Sequence, residues 1–308
     1  MQEFDLIARY FAPLATAPEA FGLKDDAAII RTRHGFDLVI TTDQVAQGTD
    51  FFADDPPDAI AKKALRVNLS DLAAKGAKPE YYLLNLALPR SMREEWLAEF
   101  AHGLSEDQRQ FGISLLGGDT SATEGPLSIS ITAMGFVPEG RMVKRSGAKV
   151  GDAVYVTGTI GDSGGGLALL RGEANDFGEA DRAYLVNRYR LPHPPATFGT
   201  TLYDIAHAGV DVSDGLIADL GHLASASGVG IVVRGEQVPL SPALKALWGT
   251  DTLARAVVGG DDYQIAFTAP SGLSGPFTCI GQVQAGEGVS LRMNDEAVVI
   301  PQPGYRHF

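Results

Sequence analysis

Cysteine is almost missing from this chain of 308 residues, and the one present, Cys279, has no partner for an internal disulfide. A disulfide-stapled secreted scaffold is excluded, and a reducing compartment, the cytoplasm, is the expected address. Basic charge is also scarce: 25 Lys and Arg face 38 Asp and Glu, a net charge of −13. Phosphate-backbone binding needs a basic face, so no nucleic-acid partner is expected. Anionic small molecules stay open, provided that local arginines or metal ions bridge them to the acids. No uncharged apolar run is long enough to span a bilayer, so no membrane partner is expected. The stretch Met1 to Tyr10 carries Glu3, Asp5 and Arg9 and lacks the basic-then-apolar pattern of a signal peptide.

The common site signatures are absent too. Without HExxH or a Cys/His cluster, zinc is not expected. Without GxxxxGK[ST], the chain is not a P-loop enzyme. The Asp211 turn lacks the alternating ligands of an EF-hand. Asp176-Phe177-Gly178 spells a protein-kinase tripeptide, but no His-Arg-Asp loop precedes it, and the match reads as chance. Glycines 158, 161, 164, 165 and 166 do not fit GxGxxG. That run reads equally as a flexible turn before a helix or as a phosphate contact.

What is present is an ordinary globular composition, 45% hydrophobic and 20% charged, in a length that suggests two domains. A boundary is expected near Pro138-Glu139-Gly140, giving domains 1–138 and 139–308. In the first, apolar spacing predicts a helix over Glu3 to Leu14 and an apparent strand at Ile29-Ile30. A strand over Asp37 to Thr42 is expected to end in Asp43. Pro56 and Pro57 open a long helix that closes at Gly76, with Asn, Ser and Asp unusually placed inside it at 68, 70 and 71. A strand follows over Glu80 to Leu88, then a helix over Met92 to Phe111. A short strand, Ile113 to Leu116, delivers Gly117-Gly118-Asp119, and Leu127 to Phe136 is a further strand. In the second domain, strands are expected over Ala153 to Gly158, Gly230 to Arg234 and Gln264 to Thr268. Helices are expected over Leu167 to Arg171, Ala180 to Arg190, Ala196 to Ala208, and from the Asp211 stretch to about Ser227.

That last stretch, Asp211-Val212-Ser213-Asp214-Gly215-Leu216, sets two acids three apart on a turn entering a helix. Ser213 or Asp214 can cap the helix, which leaves Asp211 beside its N-terminus. Two readings follow: a capped helix with a solvated aspartate, or an acid pair held by a divalent cation. Asp26, Asp43, Asp71 and Asp119 likewise sit at turns, strand ends or odd helix positions, outside any charge run. Hard cations such as Mg²⁺ take carboxylate oxygens and complete their shell with water and substrate phosphates. Several such ions would clamp a polyphosphate for phosphoryl transfer.

These pieces join in one resemblance. It is carried by Asp25-Asp26-Ala27-Ala28, Thr41-Thr42-Asp43, Asn68 to Pro79, Gly117-Gly118-Asp119-Thr120 and Arg145-Ser146-Gly147-Ala148 with Gly151-Asp152. Asp211 to Leu216, Gly259-Gly260-Asp261-Asp262-Tyr263 and Gly304-Tyr305-Arg306-His307-Phe308 complete it. Together, in this order over essentially the whole chain, they resemble the thiamine-monophosphate kinases of the PurM-like (aminoimidazole ribonucleotide synthetase-like) superfamily. The resemblance implies an α/β (α+β) architecture of two PurM-like domains, an N-terminal mixed sheet with helices and a C-terminal α/β domain. The first would hold metal, ATP and the dimer contact of a homodimer, the second ATP and the acceptor. It implies Mg²⁺ ligands at Asp26, Asp43, Asp71, Asp119, Asp211 and Asp214, with Thr41 and Thr42 assisting through oxygen. Gly118, Asp119, Arg145 and Ser213 would contact ATP, the co-substrate. Asp50, Asp261 and Tyr305 would meet thiamine monophosphate. The reaction implied is direct in-line transfer to give thiamine diphosphate and ADP. Its nucleophile, a phosphate oxygen, is already anionic and needs no general base.

The chain departs from the family's pattern after Asp43. Gln47-Gly48-Thr49-Asp50-Phe51 stands where Glu-Gly-Val-His-Phe is common, so an acid replaces the acceptor-contacting histidine. Asp261 stands for a more frequent glutamate. Two other readings therefore stay open: an ATP-using relative with a different acceptor, and a non-catalytic nucleotide or metal binder. The relatives that work through a reactive N-terminal or C-terminal cysteine are disfavoured, since Cys279 is neither.

Overall fold

The structure, a computed structural model, describes residues 3–25, 27–174, 176–300 and 302–305. Its contacts divide the chain into two units, Met1–Leu72 with Ala77–Gly140, and Ala73–Gly76 with Arg141–Phe308. Each unit is an α/β structure built on one mixed sheet.

The first unit holds α1 (Glu3–Leu6), β1 (Phe36–Ala46), α2 (Pro57–Ala74), β2 (Lys78–Pro89), α3 (Glu94–Phe111), β3 (Ser114–Thr123) and β4 (Ser128–Pro138). Its four strands run in the order β1-β4-β2-β3. β4 pairs antiparallel with both β1 and β2, while β2 and β3 are parallel and joined through α3. Strand β4, paired on both edges, alternates the half-buried Ser128, Ser130 and Thr132 with the buried Ile129, Ile131 and Ala133 before an apolar run from Ala133 to Val137, and α2 is buried nearly all round, with Leu65, Leu69, Leu72 and Ala73 fully inaccessible. Inside that unit Arg66 of α2 pairs with the fully buried Asp107 of α3 through two bonds of 2.7 Å. The fork geometry of guanidinium on carboxylate compensates for burying both charges.

The second unit holds β5 (Ala153–Thr157), α4 (Asp162–Leu170), α5 (Glu179–Arg190), α6 (Ala196–Gly199), α7 (Leu202–Ile205), β6 (Ala208–Asp211), α8 (Leu216–Ser227) and β7 (Gly230–Arg234). α9 (Pro242–Trp248), α10 (Thr252–Ala256), β8 (Ile265–Ala269), β9 (Phe277–Gln284), β10 (Gly288–Met293) and β11 (Glu296–Val298) complete it. Its seven strands are ordered β11-β10-β7-β9-β5-β8-β6. Among the described residues of this sheet, β10 and β7 are the one parallel pair. The core beneath α8 is made of Leu216, Leu220 and Leu223 against Val154, Val156, Val210 and Ile231.

Several elements differ from the sequence expectation. Glu3 to Leu14 is helical but broken into an α turn, a wide turn over Ile7–Phe11 and a 3₁₀ turn at Ala12–Leu14, where Pro13 removes a donor. Ile29-Ile30 is not a strand. β1 continues to Ala46, so Asp43 lies within it rather than at its end, and β3 likewise runs through Asp119. α2 is continuous past Asn68, Ser70 and Asp71; the side chains of Asn68 and Asp71 are taken up by bonds to β1, which offsets their poor propensity. The expected helix 196–208 is two single turns followed by β6.

Candidate active site

In the first unit, β1 and α2 bring three of the expected residues, Thr41, Asp43 and Asp71, together. Thr41 Oγ1 donates a short hydrogen bond to Asp71 Oδ2. Three residues before Asp71 on α2, Asn68 fixes the partner strand: its Oδ1 accepts from the Asp43 N–H at 3.0 Å while its Nδ2 donates to the Ala64 carbonyl at 3.1 Å. Both ends of a fully buried amide are thus used, which accounts for Asn68 in mid-helix. Thr42 points to the neighbouring strand, donating to the Ile131 carbonyl at 3.2 Å and accepting from Thr132 Oγ1 at 3.1 Å. Burial raises the Asp43 carboxyl from 3.8 to about 7, and the charges of Asp71 and then Asp50 push it the same way. Mutually repelling acids with a hydroxyl beside them are the donor set of a hard divalent cation, whose charge would reverse that shift. The residues present therefore fit Mg²⁺.

Asp50 does not project as a free anion. Its Oδ2 accepts from the Ala46 N–H at 2.7 Å, closing the turn after β1, and the buried Lys63 donates to its carbonyl at 2.8 Å. Asp119 is exposed on β3, at the other edge of the sheet from Asp43. Gly118 before it has φ 150°, and a Cβ there would lie 1.7 Å from the Leu84 carbonyl oxygen, so only glycine fits. Asp26 lies outside the described residues.

In the second unit, β6 ends in Asp211, which is 4% exposed, and the chain turns through Ser213-Asp214-Gly215 into α8. Neither Ser213 nor Asp214 caps that helix. Asp219, one turn inside it, reaches back instead: its Oδ2 accepts from the N–H groups of Ser213, Asp214 and Gly215 at 3.0, 3.0 and 3.1 Å. Burial and the Asp214 charge raise the Asp219 carboxyl to about 7, against the lowering effect of those three N–H groups. Gly215, at φ 124°, lets the turn pass Val258, whose backbone a Cβ would meet at 2.9 Å. Asp214, Asp219 and His222 bring their ligand atoms within 4.8 Å of one another. Beside them lies a cavity of about 480 Å³ lined by Asp214, Ile217, Ala218, His222, Val289 and Tyr305.

The loop carrying Asp261 is laced to the same turn, with the Asp261 N–H bonded to the Ser213 carbonyl at 2.8 Å and the Tyr305 N–H to the Asp214 carbonyl at 2.9 Å. Ser213, Asp214, Asp261 and Tyr305 are thereby brought together. Arg145 is not among them. Its carbonyl accepts from Ser227 Oγ at the far end of α8, whose 12 residues separate it from Ser213 by about 18 Å of helix. Arg306, His307 and Phe308 lie outside the described residues. Sequence reasoning missed Asp219 and His222. The signal available for Asp219 was an acid on an otherwise apolar helix face, between Leu216 and Leu220.

Residues 24–137 match the family described as AIR synthase related protein, N-terminal domain, and residues 149–294 its C-terminal domain. A thiamine-monophosphate kinase of Salmonella typhimurium is 42% identical, covering 99% of this chain and 98% of its own. The crystal structure of the thiamine-monophosphate kinase of Stenotrophomonas maltophilia superposes with a TM-score of 0.86 at 39% identity, covering 97% of this chain and 98% of that one. AaThiL complexed with AMPPCP and TMP superposes at 0.83 with 34% identity, over 99% and 97% of the two chains. With relatedness of this extent across both halves, the chain belongs to the thiamine-monophosphate kinase family.

Proposed function

We propose that the protein transfers the terminal phosphoryl group of ATP to the phosphate of thiamine monophosphate, giving thiamine diphosphate and ADP. The observation that carries this reading is the half-buried Thr41, Asp43 and Asp71 group, in a chain related over its full length to kinases of that name. Donor and acceptor are both anions, so the barrier is one of positioning and charge cancellation. Bound Mg²⁺ supplies that cancellation, and Asp26, Asp43, Asp71, Asp119, Asp211 and Asp214 would hold it, with Thr41 and Thr42 contributing oxygens. Gly118, Asp119, Arg145 and Ser213 are assigned to ATP, and Asp50, Asp261 and Tyr305 to the acceptor. No side chain is asked to take a proton, since the attacking oxygen carries none at neutral pH. Asp50, its carboxylate already accepting the Ala46 N–H, tolerates the acceptor phosphate better than a free anion would. We assign the metal, ATP and dimer contacts to residues 1–138 and further ATP and acceptor contacts to 139–308.

The reading extends to a homodimer and a cytoplasmic location. Phe36, Leu38 and Ile40 alternate along edge strand β1 at 47, 39 and 58% exposure, an apolar stripe suited to a second copy. The lone cysteine suits a reducing compartment, and among the described residues no helix is long and apolar enough to cross a membrane. The deciding assay follows ADP release from ATP, Mg²⁺ and thiamine monophosphate, with the diphosphate identified by mass. Its formation is expected; ATP binding without it would leave the fold and overturn the acceptor.

A further inference from the structure

Two non-glycine residues of the second unit sit in the left-handed region within one loop: Asp261 at φ 67° and Tyr263 at φ 51°. Side chains disfavour that conformation, and such residues persist where their surroundings over-determine them. The determinants are visible. The Asp261 N–H bonds the Ser213 carbonyl and the Tyr263 N–H the Val212 carbonyl, each at 2.8 Å. Asp262, between them, is 2% exposed and bonds a different element. Its Oδ2 accepts from the Gly161 N–H at 2.6 Å and its Oδ1 from the Ser163 N–H at 3.4 Å. Those groups belong to the start of α4, where unpaired N–H donors and the helix dipole favour a carboxyl group. Tyr263 Oη in turn donates to Asp261 Oδ1 at 3.1 Å.

We propose that Asp262 and Tyr263 are positioning residues for Asp261. Asp262 staples the loop to the first turn of α4, and the Tyr263 hydroxyl sets the Asp261 carboxylate, which is then presented pre-formed to a donor or cationic ring of the acceptor. The alternation of left-handed, buried and left-handed residues gives the neighbouring acids different partners, α4 for Asp262 and the Tyr263 hydroxyl for Asp261. One acid is structural and one faces the ligand. This inference rests on the reading of Asp261 as an acceptor contact.

The test uses the full-length enzyme with ATP, Mg²⁺ and thiamine monophosphate, and amide hydrogen exchange on the free protein. Asp262→Ala is expected to raise KM for thiamine monophosphate about tenfold, with KM for ATP and kcat within about threefold. Exchange of the amides at 260–263 is expected to quicken about tenfold while α8 keeps its protection. Asp262→Asn, which retains an oxygen for the Gly161 N–H, restores most of both. Tyr263→Phe raises the acceptor KM about threefold with no change in melting temperature, and it decides the matter alone if Asp262→Ala does not fold. Asp261→Ala is the reference. If it raises the acceptor KM while Asp262→Ala and Tyr263→Phe do not, or if exchange at 260–263 is unchanged in Asp262→Ala, the positioning role is overturned. If exchange quickens but Asp261→Ala leaves the acceptor KM unaltered, the staple stands and the acceptor role of Asp261 falls.

Discussion

Asp43 in the first unit and Asp219 in the second are both buried acids raised to about 7, yet they are held in opposite ways. Three backbone N–H groups converge on Asp219, so the chain itself supplies the positive partial charge that its carboxylate needs. Asp43 has Asp71 and Asp50 for neighbours, and the one hydroxyl bond in the group goes to Asp71. The Asp219 carboxylate already has its donors from the chain and shapes a turn. The Asp43 group is electrostatically unfinished, and a divalent cation would finish it. Acid clustering by itself separates nothing; what separates the two is whether backbone donors are already spent on the carboxylate.

Breaking each arrangement should give different kinds of loss. Asp71→Asn keeps the shape and removes a charge, so kcat should fall by roughly 10²–10³-fold with an unchanged urea midpoint, measured by diphosphate formation. Asp219→Ala should do the reverse in stability: three N–H groups lose their acceptor, for a loss of about 2–4 kcal/mol by urea unfolding. The pH dependence sharpens the contrast. A carboxyl whose folded pKa lies above its unfolded value binds protons more tightly when folded, so its contribution to metal-free stability is best below pH 4 and is lost as pH rises to about 7. Mg²⁺ should remove the Asp43 part of that decline and leave the Asp219 part, and Asp43→Asn should flatten the metal-free curve in the same range. Smaller still is Asp50→Asn, whose side-chain oxygen can keep the Ala46 N–H bond; the acceptor KM should shift by less than about threefold. Separately, Ile40→Asp should turn a dimer into a monomer by sedimentation, testing the β1 stripe without touching either acid group.

Much of this was legible in the sequence, and the exceptions have physical causes. The order of strands and helices in the first unit followed from apolar spacing, and Gly76, at φ 79°, lies just past the helix it was expected to close. Asp43 and Asp119 were misplaced at strand ends because β1 and β3 continue through polar residues, whose pairing comes from neighbouring strands and not from local propensity. The seven-stranded sheet was read only in part. β9 breaks its alternation at Ile280 and Gly281, which are both buried, and β10 and β11 have six and three residues with little apolar alternation to mark them. The acid motifs were found as motifs. That Asp219, not Ser213 or Asp214, holds the α8 turn could not be read from spacing, since it depends on a side chain folding back along its own helix. Likewise nothing in Asp261-Asp262 distinguishes the buried acid from the half-exposed one until the backbone sign is known.

The most direct test of the contrast is Mn²⁺ binding followed by electron paramagnetic resonance, with AMPPCP present, on wild type, Asp71→Asn and Asp219→Asn. Asp71→Asn should weaken Mn²⁺ by at least about tenfold, and Asp219→Asn should bind as wild type does. Equal Mn²⁺ affinity in wild type and Asp71→Asn would contradict the assignment of the Thr41, Asp43 and Asp71 group as the cation site.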